Sequence, residues 1–184
     1  MVAELLTARL RLRAPTVADQ DAIVALHGDP AVMRFIDDGR PVAPEVVRTR
    51  DLGWLLADHG RGLGYWVGIE RVTGRIVGWF GLSPREQELD EVELGYRLHP
   101  AFWGRGLATE GATALVAYGF DVVGVGRVFA TTMMVNTGSR RVMERAGLPH
   151  HRTFLYDGPD PLPGAEQGDV EHALTLDEWR RRAG

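Results

Sequence analysis

Cysteine and lysine are both absent from this 184-residue chain. Without cysteine there is no disulfide scaffold, no thiolate zinc site and no route for an acyl group through an enzyme thiol. Without lysine there is neither a Walker-type phosphate lysine nor a Schiff-base nucleophile. All 21 basic side chains are arginine. Long apolar runs are missing too, with nothing near the ~20 residues that cross a bilayer. Glu4, Arg9 and Arg11 break up the first dozen residues, which lack the apolar run of a signal peptide. A net charge of −4 argues against a general nucleic-acid binder. No His/Asp/Glu spacing resembles a metal site, and no repeat or linker divides the chain. The expectation is one cytoplasmic domain over residues 1–184, with no membrane, metal or direct nucleic-acid partner. Chemistry is left to carboxylate, histidine, hydroxyl and backbone amide.

Leucines alternating with arginines predict a strand over 5–13, closed by Pro15. Thr16 followed three residues on by Asp19 has the pattern of a helix start, and Gly28-Asp29-Pro30 the pattern of its end. Leu52, Leu55, Leu56 and His59 share one face of a helix running from Pro44 to Gly60. Strands over 65–70 and 75–82 flank the turn Val72-Thr73-Gly74. In the next strand Val92, Leu94, Tyr96 and Leu98 lie on one face, with Glu91, Glu93, Gly95 and Arg97 on the other. A helix over 107–122, a strand over 127–133, a helix over 139–146, strands over 150–156 and 170–174 and a short last helix complete the order. This predicts an α/β fold, a mixed sheet of about seven strands with helices on both faces. The ligand belongs at the central strand–loop–helix.

That loop holds Gly104 and Gly106 at the entry to a helix. Glycine permits close backbone approach, and first-turn amides with the helix dipole attract an anion. Residues 104–109 therefore read as a phosphate site with Arg105 beside it, a plain tight turn being the competing reading. A Rossmann fingerprint fails because Thr109 stands at the third glycine position, and a P-loop fails for want of lysine.

The segments Glu93-Leu-Gly-Tyr96, His99-Pro-x-x-Trp-Gly-Arg-Gly-Leu-Ala-Thr-Glu110 and Asn136-x-x-Ser139-Arg-Arg-Val-x-Glu-x-x-Gly147 resemble the GNAT N-acetyltransferase superfamily. Within it they resemble the branch that includes ribosomal-protein-alanine N-acetyltransferases. The likeness runs from Leu5 to about Trp179. It implies a single GNAT domain, mostly antiparallel, whose sheet splays between two parallel strands to admit acetyl-CoA as co-substrate. The family's phosphate loop, Q/R-x-x-G-x-G/A, puts Trp103, Gly106 and Ala108 at its first, fourth and sixth positions, Trp103 being a departure. By the same likeness, backbone groups of Tyr96, Arg97 and Leu98 pair with the pantetheine as an added strand would. The amides of Gly104, Arg105, Gly106, Leu107, Ala108 and Thr109 hold the pyrophosphate, and Asn136 contacts the cofactor arm.

Amine acetylation needs a neutral nitrogen. At pH 7 an α-amine loses about 1.4 kcal/mol to protonation and a lysine-type amine about 4.6. Glu93 is the candidate base and Glu91 the reserve. Many relatives carry a tyrosine acid where this chain has Met143, so Ser139 is the candidate donor to the thiolate, a helix cap being its alternative role. Thr131 stands where some relatives have a glutamate base. His27 and His59 read as helix-end residues favoured by the dipole. The five tryptophans fit a core or a subunit interface, so a homodimer stays open. The acceptor, a protein N-terminus or a small amine, should meet the connections over 28–44, 83–90 and 157–169. The last two carry Glu86, Glu88, Asp90, Asp157, Asp160, Glu166 and Asp169, which attract cations. A non-catalytic acyl-CoA-binding protein is the rival from another class.

Overall fold

A computed structural model describes residues 2–85, 88–155 and 162–183. The strand expected over 5–13 is a ribbon of two, β1 (Leu5–Leu6) and β2 (Leu10–Arg13), with Leu5 opposite Leu12. Alternation alone could not show the reversal, because its anchor lies a hundred positions away. Glu110 accepts hydrogen bonds from Thr7 Oγ1 (2.5 Å), Arg9 N (2.6 Å) and Arg9 Nε (2.6 Å). Burial opposes ionisation of Glu110, but the bonds from Thr7 and Arg9 outweigh it and hold the carboxyl below its usual range. Glu110→Ala should cost about 1.5–3 kcal/mol, the loss of charge-assisted bonds. Chemical denaturation reads it as a lower midpoint with an unchanged slope.

The ribbon also corrects the strand count. Among the described residues there are eight strands, the others being β3 (Gly64–Glu70), β4 (Ile76–Arg85), β5 (Glu88–Leu98), β6 (Arg127–Met133), β7 (His150–Phe154) and β8 (Asp169–Thr175). Their order is β1-β2-β3-β4-β5-β6-β8-β7. Every neighbouring pair is antiparallel except β5 and β6.

The parallel pair is short. Glu91 faces Arg127, Val92 faces Val128 and Glu93 faces Phe129. Beyond that, β5 keeps its register with β4 as far as Leu98, and β6 keeps its register with β8 as far as Met133. The two central strands therefore part after Glu93, as the family resemblance implied.

Alternation along β4 and β5 sorts side chains into two cores. Phe80, Leu82, Val92, Leu94 and Leu98 pack with α5 (Leu107–Tyr118) and α6 (Thr137–Arg145) on one face. Trp79 packs on the other face with Ile23 and Leu26 of α1 (Gln20–His27) and Val32 of α2 (Pro30–Met33). Val47 and Leu55 join that second core from the stretch after Pro44, which is α3 (Pro44–Val46), a π turn Val47–Asp51 and α4 (Leu52–Leu56). This stretch stops four residues short of Gly60, with Ala57 already extended and His59 outside it. A π turn carries an extra residue, which rotates the next turn off the 3.6-residue register. Leu52 and Leu55 stay buried while Leu56 faces solvent. The last helix, α7 (Leu176–Ala183), lies where expected.

Candidate active site

The β4–β5 register lays three rows across the face that carries α1 to α4. Ser83 lies opposite Glu93, Gly81 opposite Gly95 and Trp79 opposite Arg97. The middle row has no side chains, and it opens a hollow between the other two. A Cβ on Gly81 would come within 2.6 Å of the Tyr65 ring, and one on Gly95 would press Trp79 at 3.4 Å. The resulting cavity is about 380 Å³. Its aromatic wall is Trp54, Tyr65 and Trp79, in edge contacts at centroid separations of 4.6, 5.4 and 5.6 Å. Asp37, Arg50, Asp51, Glu93 and Arg97 add charge. Of the three connections expected to meet the acceptor, the first brings Asp37 and the second Ser83. Residues 86–87, with Glu86, and 156–161, with Asp157 and Asp160, lie outside the described residues.

Glu93 stands where the cavity meets the splay. Burial pushes its carboxyl up, while a 2.9 Å bond donated by Thr131 Oγ1 pulls the other way. Threonine at 131 thus serves the carboxylate of the neighbouring strand. Glu91, the reserve, shares the face but is ion-paired with Arg127 and with Arg85 at 3.2 Å. Two guanidiniums occupy Glu91 while Glu93 lines the cavity, so the structure separates two glutamates that the sequence left equivalent.

His27, by sequence a residue at home on a helix end, is instead fully buried behind the cavity. Its Nε2 accepts from Trp79 Nε1–H at 3.0 Å, which fixes the proton on Nδ1, donated to Asp51 Oδ2 at 2.6 Å. Burial lowers its pKa, Asp51 opposing, and the imidazole is neutral. Asp51 also takes Arg50 Nε at 2.6 Å. Sequence reasoning missed His27, Asp51, Trp54 and Trp79 as site residues. No local spacing joins His27 to Asp51, 24 positions on, or to Trp79, 52 on.

On the opposite face the Tyr96 hydroxyl reaches the first turn of α6, 3.0 Å from both Ser139 O and Ser139 Oγ. The carbonyl can only accept, so the phenol proton goes there and the Ser139 hydroxyl is left as a donor. Burial pushes the phenol pKa far up, so it stays protonated. Ser139 is not the cap of α6. Asn136 is, its Oδ1 accepting from Ser139 N at 3.2 Å while its Nδ2 donates to Thr132 Oγ1 at 3.1 Å. With Asn136 in that place the helix starts at Thr137, two residues earlier than expected.

The glycine loop has the shape its sequence called for. Gly104 and Gly106 are left-handed, at φ +70° and +77°, and no atom approaches a Cβ built on Gly104 within 4 Å. The first helical bond of α5 is Glu110 N–H to Gly106 O at 3.0 Å, so the preceding amides of 107–109 have no partner within the helix. Leu107 is buried, Ala108 and Thr109 half-buried. Arg105, expected beside the phosphates, is ion-paired with Glu70, and its carbonyl holds Arg9 Nη1 at 2.8 Å. Trp103, the departure from the loop consensus, donates Nε1–H to Leu98 O at 2.7 Å. That bond occupies the Leu98 carbonyl, and between Glu93 and Leu98 the β5 edge has no ladder partner in β6.

Among the described residues no group of three acidic or histidine side chains could hold a metal, and no helix is long and apolar enough to cross a membrane. Residues 9–149 match the family described as acetyltransferase (GNAT) domain. The FsC-acetyl coenzyme A-N(2)-transacetylase of Aspergillus fumigatus is 37% identical over 185 residues, 95% of this chain and 77% of that one. The crystal structure of a GNAT-family acetyltransferase from Bacillus anthracis superposes with a TM-score of 0.83 at 23% identity, covering 96% of this chain and all of that one. Spermidine N-acetyltransferase of Vibrio cholerae, in complex with CoA and spermine, shares the fold at TM-score 0.77 and 14% identity, covering 95% and 99%.

Proposed function

The chain belongs to the GNAT acetyltransferase family, and from that membership we propose an enzyme that moves an acetyl group from acetyl-CoA directly onto a small primary amine seated beside Glu93. The observation that carries this reading is Glu93 itself, a carboxylate with a raised pKa between an aromatic-walled cavity and the opening of the sheet. The left-handed glycines and the first-turn amides, which have no partner within the helix, fit a pyrophosphate, and the β5 edge beyond its pairing with β6 fits an amide-bearing arm. Gly104, Gly106, Leu107, Ala108 and Thr109 would hold the former, Tyr96 and Arg97 the latter, with Asn136 bracing the α6 end. When bound, acetyl-CoA supplies the thioester carbonyl and the departing thiolate. Glu93 takes the ammonium proton, directly or through a water, and Thr131 orients its carboxylate. The acylated nitrogen then gives up a second proton, which the Ser139 hydroxyl, turning from the Tyr96 oxygen, relays to the departing sulfur.

A small acceptor is supported by the size of the cavity and by the A. fumigatus relative, whose name gives an N(2) acceptor. A protein N-terminal α-amine is the second reading, favoured by the Glu93-to-Glu110 motif of the ribosomal-protein branch. The test is release of free CoA thiol with a panel of small amines and N-terminal peptides, products being identified by mass. Transfer to small amines with peptides inert supports the first reading; the reverse supports the second. Tight acetyl-CoA binding without turnover on any amine would mark a binding protein. Ser139→Ala should slow turnover about 10-fold or less, since a CoA thiolate leaves tolerably without an acid.

A further inference from the structure

Arg97 is the one cavity-lining cation without a carboxylate partner among the described residues. Arg50, the other guanidinium there, is neutralised by Asp51 at 2.6 Å. Arg97 has no carboxylate within 4 Å among those residues; Asp37 and Asp51 act on it only from farther off. Its side-chain contacts use Nη1 and the guanidinium face. Nη1 sits 3.5 Å from the neutral His27 Nε2 and 3.7 Å from Met33 Sδ, and the plane lies over Trp79 at 5.3 Å. Nε and Nη2 have no acceptor among the described residues. A guanidinium presents five donors in a fixed fork whose natural complement is a carboxylate. Indole and imidazole hold this fork in place without neutralising it.

Glu93 and Arg97 stand on the same face of β5, about 13 Å apart at Cα by strand geometry. Between them lies only Gly95, facing Gly81. The slot has Glu93 at one end and Arg97, with Asp37 farther off, at the other, and it is bare in the middle.

Taking Glu93 as the base for an amine, we propose that the acceptor also bears a carboxylate, the amine facing Glu93 and the carboxylate forked by Arg97. Amino acids whose reacting amine lies several bonds from the carboxylate have this form; polyamines do not, because their second ammonium would fall beside an unneutralised guanidinium.

Matched acceptors decide it. Homologous ω-amino acids from β-alanine to 6-aminohexanoate are compared with alkylamines of equal length, and ornithine with putrescine, by CoA release. The wild type should prefer the acid of each pair, chiefly through KM. Arg97→Leu should collapse the acid-to-amine ratio of kcat/KM by about 10- to 100-fold, with Arg97→Lys intermediate. Taking the ratio within one variant cancels any effect on CoA binding or folding. Equal use of acid and amine by the wild type, or a ratio untouched by Arg97→Leu, overturns the proposal. Calorimetry of the CoA complex with 6-aminohexanoate and with hexylamine separates the carboxylate site from the transferase activity. Acid-selective binding lost in Arg97→Leu without turnover would sink the transferase reading and keep the carboxylate site; no acid-selective binding and no turnover would sink both.

Discussion

Replacing Glu93 by glutamine should lower kcat/KM by about 100-fold or more, within the range ascribed to general-base catalysis. Glutamine keeps the shape and can still accept the Thr131 hydroxyl, so what is removed is proton affinity. The loss should grow with the basicity of the acceptor, because an amine of pKa ~10.4 needs about 3 kcal/mol more help at pH 7 than one of pKa ~8. The pH profile separates this role from a positional one. Burial raises the Glu93 pKa. The base is competent only when ionised, so the wild-type acid limb should bend above the usual carboxylate range. In Glu93→Gln that bend should vanish, leaving the limb set by the amine alone. A profile keeping its bend would reassign the base. Stability should move the opposite way. A carboxyl whose folded pKa exceeds its unfolded one is disfavoured in its ionised folded form, a penalty present above the folded pKa and absent below the unfolded one. Glu93→Gln should therefore raise Tm at neutral pH, with the gain disappearing in acid. An enzyme made slower and sturdier by one substitution is what a base held in a desolvated site predicts.

The second large effect concerns the closed end of the splay. Glu171, 1% exposed on β8, takes Arg127 Nη2 at 2.5 Å and Arg152 Nη2 at 2.8 Å, and Arg127 also pairs with Glu91 on β5. These ion pairs bind β5, β6, β7 and β8 together just where the parallel pairing begins. Glu171→Leu should destabilise the protein by about 1.5–3 kcal/mol, because it removes the charge-assisted bonds from Arg127 and Arg152 while Arg127 keeps Glu91. That is roughly 3–12 °C in Tm for a chain of this size. Adding Arg127→Met should cost less than it does in the wild type, because the bond between the two side chains is already gone. A double variant as unstable as the sum of the singles would mean that the two side chains do not interact. Burial opposes ionisation of Glu171, but the bonds from Arg127 and Arg152 outweigh it and its pKa is lowered. Its contribution is complete above the ordinary carboxylate pKa of ~4.3 and is lost as pH falls through the lower folded value. Acid unfolding should shift to higher pH in Arg127→Met, where that depression is relieved.

The chain order settled what depends on neighbours in sequence. Period-2 alternation over 91–98 already divided β5 into a core face and a site face. Gly104 and Gly106 marked a turn just ahead of a helix, and both take the left-handed backbone that glycine adopts without strain. Missing cysteine and lysine excluded, on composition alone, an acyl relay through an enzyme thiol and a Schiff-base lysine. Register between distant strands was a different matter. Which glutamate stays free depended on Arg127 crossing to Glu91 and Thr131 to Glu93, two contacts between strands nearly forty residues apart. His27 looked like a helix-end residue until Asp51 and Trp79 closed around it. Ser139 looked like a cap until Asn136 took that place and Tyr96 came over from β5. Local periodicity sets which face a side chain takes; burial and hydrogen bonds to remote partners set its protonation and its freedom, and only the folded sheet supplies them.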